Sequence, residues 1–308
     1  MKNRITNPLP APASVSKQKK VLVIGSGFHK EISSENSILS DWNLLLKSLD
    51  SKIISEGNQT LVFEEIIVRK TTADIIKKRT ASELEKVKLI EITKKIDSAQ
   101  RKIPLEEILA KYSYLFDPEN VSDIISLNFD TTLESLCLMH AQNLGIKIKT
   151  AKKKIHFKSE KIDVRSYDIE FLNGNIIRFW YPHGSIKSAN SMTLGVRSYY
   201  KRMADVEELR KLSKSKKHVV SWYHQFTHNP VILIGTSLSS LEWDLWFAIV
   251  NRERNFAKKS NKEFRTDISM SSISISEKRT TNFWINKPSD SKSYWSSIQK
   301  MIQSNTNS

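Results

Sequence analysis

The chain has 308 residues, 39% of them hydrophobic and 27% charged, with a net charge of +16 and a single cysteine. That length suits one large domain or two small ones, and seven tryptophans and twelve phenylalanines suffice to build a core. One cysteine excludes an internal disulfide and any cysteine cluster for zinc or iron–sulfur, and no apolar run reaches the ~20 residues of a membrane span.

Residues 1–18 are Pro, Ala, Ser, Asn and Lys without periodicity, which predicts a disordered tail. They contain no hydrophobic core of a signal peptide, so the expectation is a soluble cytoplasmic protein. Residues 19–24 form the first predicted strand, running into Gly25-Ser26-Gly27. Only eight glycines occur in the whole chain, so a pair in one loop is informative. "LSDWNLLLKSLD" puts Trp42, Leu45, Leu46 and Leu49 at helical spacing, with Ser40 or Asp41 as the cap. Residues 61–115, rich in Glu, Lys, Ile and Leu and free of glycine, read as a helical insertion; no heptad register can be sustained through them.

Ile124 to Leu127 is a short predicted strand, followed by a helix capped by Thr131 or Thr132. The apolar face of that helix includes Leu133, Leu136, Cys137 and Met139. Residues 146–181 predict a basic, β-rich insertion on the sheet's rim, with a hairpin turn at 173–175. A helical stretch then leads to "PVILIGTSL", a buried strand with a glycine turn and a helix from about Ser239. A last strand or two and a closing helix near Tyr294 to Gln303 complete the chain.

Strands alternating with helices predict an α/β fold, a Rossmann-like parallel sheet flanked by helices. Such sheets bind ligands outside the carboxyl ends of their strands. Four strand ends carry glycine or polar residues: Gly25-Ser26-Gly27, Asn128-Phe129-Asp130, His183-Gly184 and Gly235-Thr236-Ser237. His224 and His228 have i, i+4 spacing but lack the glutamate of an HExxH zinc site. The charge concentrates in runs at 17–20, 147–158 and 211–217, which suit either a solvated surface or an anionic partner.

Together the four segments resemble the sirtuin-like NAD-binding domain. "GSGFHKE" stands for its GAG-type loop, "SLNFD" for its QNID-type motif and "PHGS" for the dipeptide of its catalytic histidine. "GTSL" at 235–238 matches the adenosine-side motif fully, and the order and spacing fit. The resemblance covers about residues 19–300 outside the two insertions. The four zinc cysteines of protein-deacylating sirtuins are absent, "SDWNLLLKSL" replaces their GIPDFR segment, and His29 stands where the family usually has a small Ser or Thr. The tryptophan-containing helix, "NFDTTLE" and Asp244 look like bacterial sirtuin-like effectors of anti-phage defence, which are NAD glycohydrolases.

The resemblance implies NAD+ as substrate, no cofactor and no zinc. It implies catalysis by Asn128 and His183, the first fixing a ribose hydroxyl and water and the second acting as a base. Gly25, Ser26 and Gly27 would cradle the pyrophosphate through backbone amides, or form only a tight turn. Asp130 would hold the nicotinamide amide, cap the next helix, or both. Thr236 and Ser237 would meet the adenosine ribose or phosphate, or cap a helix; Asp244 would contact the adenosine ribose or merely sit on a helix. The implied function is cleavage of NAD+ to nicotinamide and ADP-ribose in abortive infection, switched on by a separately encoded sensor protein or by homo-oligomerisation. A non-catalytic NAD- or ADP-ribose-binding subunit and a nucleic-acid-binding protein are the alternatives.

Overall fold

The computed structural model describes residues 19–32, 38–39, 41–50, 59–70, 72–86, 105–214, 219–236, 242–260, 280–283 and 291–303. The predicted tail, Ser40, residues 87–104 of the helical insertion, Ser237 and the predicted helix start near Ser239 lie outside them.

Seven strands form one sheet in the order β3-β4-β5-β2-β1-β6-β7. They are β1 (Lys20–Ile24), β2 (Val121–Ser126), β3 (Ile148–Lys158), β4 (Asp163–Phe171), β5 (Ile176–Trp180), β6 (Val231–Ile234) and β7 (Thr280–Phe283). The five from β5 to β7 in that order run parallel, whereas β3 and β4 add an antiparallel edge. Ten α-helices are described: α1 (Gly27–Ile32), α2 (Trp42–Leu49), α3 (Gln59–Lys70), α4 (Ala73–Lys86), α5 (Leu105–Tyr112), α6 (Thr132–Asn143), α7 (Val196–Lys214), α8 (Trp222–His228), α9 (Trp243–Ser260) and α10 (Ser291–Gln303). The fold is the α/β, Rossmann-like one that the alternation predicts. Among the described residues no helix is long and apolar enough to cross a membrane.

Strand β1 is apolar at four successive positions because both faces of a parallel sheet are covered. Leu22 and Ile24 join Ile124, Phe179 and Ile234 under α1, α2, α6 and α10, through Phe28, Leu45, Leu133, Leu136 and Ile298. Val21 and Val23 join Ile125, Trp180 and Leu233 on the other face, under Val206, Phe226, Leu245 and Ile249 of α7, α8 and α9. The helix after β1 therefore covers one face and the helix after β6 the other. A chain that splits this way leaves a crevice between the two strands' carboxyl ends.

Residues 146–181, expected as an insertion, are instead continuous with the main sheet. Strand β5 pairs in parallel with β2, with Ile125 opposite Trp180, and is internal. Only the hairpin of β3 and β4 extends the rim, and Gly174 at φ 84° closes the predicted turn to β5. The lysines of this region lie largely on β3, an exposed edge strand on which charge deters pairing with another chain. Asp41, not Ser40, is the observed cap of α2, its side chain accepting from the Asn43 amide at 2.7 Å.

Candidate active site

The register aligns Ile24 with Ser126 on one side and Ile234 on the other, so the loops after β1, β2 and β6 begin at one level. The loops after β1 and β6 then touch. Gly25 donates its amide to Ile234 O at 2.9 Å, and Gly27 donates to Gly235 O at 2.8 Å. A Cβ on Gly25 would lie 2.6 Å from Gly235 O, and Gly235 has φ +62° with Phe28 N in the way of any side chain. These glycines exist for close backbone approach. They do not form the expected three-amide phosphate cradle, because two of its donors already serve the carbonyls of Ile234 and Gly235. Ser26, partly exposed, keeps its amide out of these bonds. Thr236 is buried and its hydroxyl points at the Glu242 carboxylate, 3.3–3.4 Å away.

The loop after β2 is organised by a residue that motif reading does not assign to the site. His29 is fully buried on α1, and its Nε2 lies 3.0–3.1 Å from the Asp130 carboxylate. An ionised carboxylate only accepts, so Nε2 carries the proton and Nδ1 is an acceptor. Nδ1 receives the Asn128 amide, Nδ2 to Nδ1 2.9 Å. That bond fixes which way the Asn128 amide points: nitrogen toward His29, Oδ1 away from it. Asp130 Oδ1 also accepts from the Thr132 amide at 2.9 Å, so Asp130, not the Thr131 side chain, caps α6. Burial works against the Asp130 charge, but His29 and the Thr132 bonds outweigh it and hold its pKa at about 2. Asp130 thus fills the capping role, one of the two expected of it.

His183 follows β5 and is 4% exposed. Its Nε2 lies 3.0 Å from Asp244 Oδ2, at the start of α9. Asp244 is therefore turned inward to the histidine through Oδ2. By the same rule Nε2–H donates, and Nδ1 is left with its lone pair and no protein partner among the described residues. Burial disfavours the His183 charge, but the charge and hydrogen bond of Asp244 prevail and raise its pKa above the ordinary histidine range. Asp244 is correspondingly held below the usual carboxylate range, burial notwithstanding. The backbone here is pinned. Thr193 N donates to His183 O at 2.8 Å, and Arg202 donates to Ser191 O at 2.7 Å and Thr193 Oγ1 at 2.9 Å. Gly184 has φ +87°, and a Cβ there would strike Ser191 O.

In the sheet, β5 and β6 are separated by β2 and β1, three strand spacings or roughly 14 Å. The His183–Asp244 contact thus joins the loop after β5 to the start of α9, which follows β6. Ile186 N, donating to Phe129 O at 2.9 Å, ties the β5 loop down to the β2 loop. Trp42 of α2 packs on Phe129 at 5.8 Å between ring centroids. Beside the His183–Asp244 pair, toward β4 and β5, is a cavity of about 650 Å³ that Gly184, Tyr181 and Asp244 line and Asn128 does not.

Gly25, Asn128, Asp130, His183, Gly235, Thr236 and Asp244 therefore gather at one end of the sheet. Residues His29, Glu242 and Arg202 join them without having been predicted in a role. The available signal for His29 was a lone polar residue two positions past Gly27, between Phe28 and Ile32, which both turn to the core. Among the described residues no cluster of His, Cys, Asp and Glu suits a metal ion. No protein-family model matches the chain, and no curated protein matches it in sequence.

Proposed function

We propose that the chain is an NAD+ glycohydrolase, an NAD-depleting effector of bacterial anti-phage defence. The observation that carries the reading is the buried His183–Asp244 pair at the same end of the sheet, past the strands' carboxyl ends, as the Asn128 amide held by His29. The C1′–N bond of the nicotinamide ribose breaks with its electron pair going to the nicotinamide nitrogen, which leaves neutral. A water oxygen bonds to C1′, and its proton passes to His183 Nδ1, giving nicotinamide, ADP-ribose and one proton. Asn128 Oδ1, aimed by His29, accepts from a ribose hydroxyl or from the water. Asp244 holds the imidazole and stabilises the imidazolium that forms. The defence role rests on the resemblance of "NFDTTLE" and its companions. A hydrolase of an essential cofactor must be restrained in its own cell, so a separately encoded partner or self-assembly switches it on.

Chromatography of nicotinamide released by the full chain, with and without co-purifying partner, tests the reading. Light-scattering mass measured alongside separates partner activation from assembly. One observation favours a second reading. A histidine held toward its charged form by Asp244 pairs with phosphate better than it abstracts a proton, as in a non-catalytic NAD- or ADP-ribose-binding module. No nicotinamide release under any assembled condition would decide for that module.

A further inference from the structure

The cavity of about 650 Å³ beside the His183–Asp244 pair is not used by the chemistry above. It forms where β4 outruns its neighbour. Strand β5 pairs with β4 only from Tyr167 to Glu170, so residues 163–166 of β4 have no partner from β5. The apolar lining, Val164, Trp180, Val206, Leu209 and Trp222, belongs to the core under α7, α8 and α9. The charged lining does not balance. Glu134 is paired with Lys187, Asp163 with Arg165, Asp205 with Arg202 and Asp244 with His183. Three lysines of the lining remain: Lys153 on β3, Lys161 in the link to β4 and Lys201 on α7. Each is exposed, and none forms an ion pair among the described residues. Lys77 of α4 feels the same excess. Burial first and Arg202 next, with Lys201 adding, hold its ammonium below the ordinary lysine range although Asp74 and Glu64 oppose them.

A single solvated lysine needs no ligand. Three unpaired ones, from three elements around one partly apolar cavity, are different, because their charges reinforce one another where a ligand can be enclosed. The volume is that of a small-molecule site. Tryptophans in the lining suit a flat ring, and surplus positive charge from three directions suits more than one negative charge. A fatty acid has one charge and no ring, whereas a nucleoside polyphosphate has both features. We propose that this cavity binds a nucleoside di- or triphosphate, with its base in the apolar part and its phosphates on Lys153, Lys161 and Lys201. The ligand would lie against Gly184 and Asp244, which line the cavity, and away from Asn128, which does not. The site is therefore additional to the one where NAD+ would be cleaved.

Isothermal titration of the full chain with ADP, adenosine and inorganic pyrophosphate tests the proposal. ADP is expected to bind more tightly than either of the other two, each of which fills one part of the cavity. Lys161→Glu and Lys201→Glu should each weaken ADP by about tenfold or more. Both lysines are exposed, so the two variants are expected to fold, and either one suffices. Lys47→Glu, an exposed charge reversal on α2 away from the cavity lining, and Asn128→Ala should leave ADP binding unchanged. The proposal is overturned by absence of ADP binding, by wild-type affinity in both cavity variants, or by an equal loss in Lys47→Glu. Loss in Asn128→Ala alone would place ADP at the glycine-loop end and overturn it too, as would pyrophosphate binding as tightly as ADP. None of these measurements reads NAD+ turnover, so failure here is distinguishable from failure of the glycohydrolase reading.

Discussion

His29 and His183 are both buried, and each donates through Nε2 to an aspartate about 3.0 Å away. They differ at the other nitrogen. In His29 it is filled by Asn128 at 2.9 Å; in His183 no protein group among those described reaches it. One imidazole is a strut whose two bonds orient an amide, and the other is the base of the proposed hydrolysis. The same residue pair, His with Asp, thus sits in two settings, and the difference lies in a third neighbour rather than in the pair.

The comparison breaks most directly at the free nitrogen. His183→Ala and Asn128→Ala are each expected to lower kcat/KM for NAD+ by ~10²–10⁴, the usual worth of a positioned base, with circular dichroism unchanged. If nicotinamide release by His183→Ala stays near wild type, the assignment of the base fails. Asp244→Asn should cost ~10–10²-fold at neutral pH, because the ring loses the carboxylate charge that stabilises its imidazolium. It should also move the pH profile. A base works when neutral, so the rate rises with pH through the His183 pKa, which Asp244 raises. Without that carboxylate the acid limb is expected at lower pH; a limb that stays in place would separate it from His183.

On the strut side, His29→Ala should act on stability as well as rate. It leaves Asp130 and the Asn128 amide without their shared partner, at ~2–3 kcal/mol in urea unfolding. Turnover should fall about tenfold because Asn128 is freed to rotate, a loss that an orienting bond of this kind accounts for. Wild-type turnover in His29→Ala would show that Asn128 orientation does not matter. The smallest effect is on acid stability. The folded pKa of Asp130 is about 2, below the value near 4 of an unfolded aspartate. Its contribution, about 2 kcal/mol, is therefore present above pH ~4 and is lost as pH falls toward ~2. Acid titrations of wild type and Asp130→Asn should run parallel above that window and converge as pH falls through it.

The sequence by itself determined the class of fold and which strand ends carry glycine and polar residues. Apolar runs ending in Gly25, Asn128, His183 and Gly235 are local signals, and the alternation of period-two and period-3.6 segments needs no tertiary information. Partners across the chain were a different matter. Asp244 is 61 residues from His183, and Asn128 is 99 residues from His29. No periodicity encodes such pairs, so Asp244 reads as a ribose contact and His29 as a bystander until the loops meet. The glycine loop shows the same limit. Its residues are right for holding phosphate, yet two of its amides donate to the end of β6 and the residue after it because β6 lies beside β1. Likewise β5 reads as part of a rim insertion but is internal, since strand order is set by which faces can be buried together, and adjacency in the chain does not carry it. Hydrogen bonds between distant segments are decided only when the sheet is assembled, and in this protein those bonds distinguish the two buried histidines.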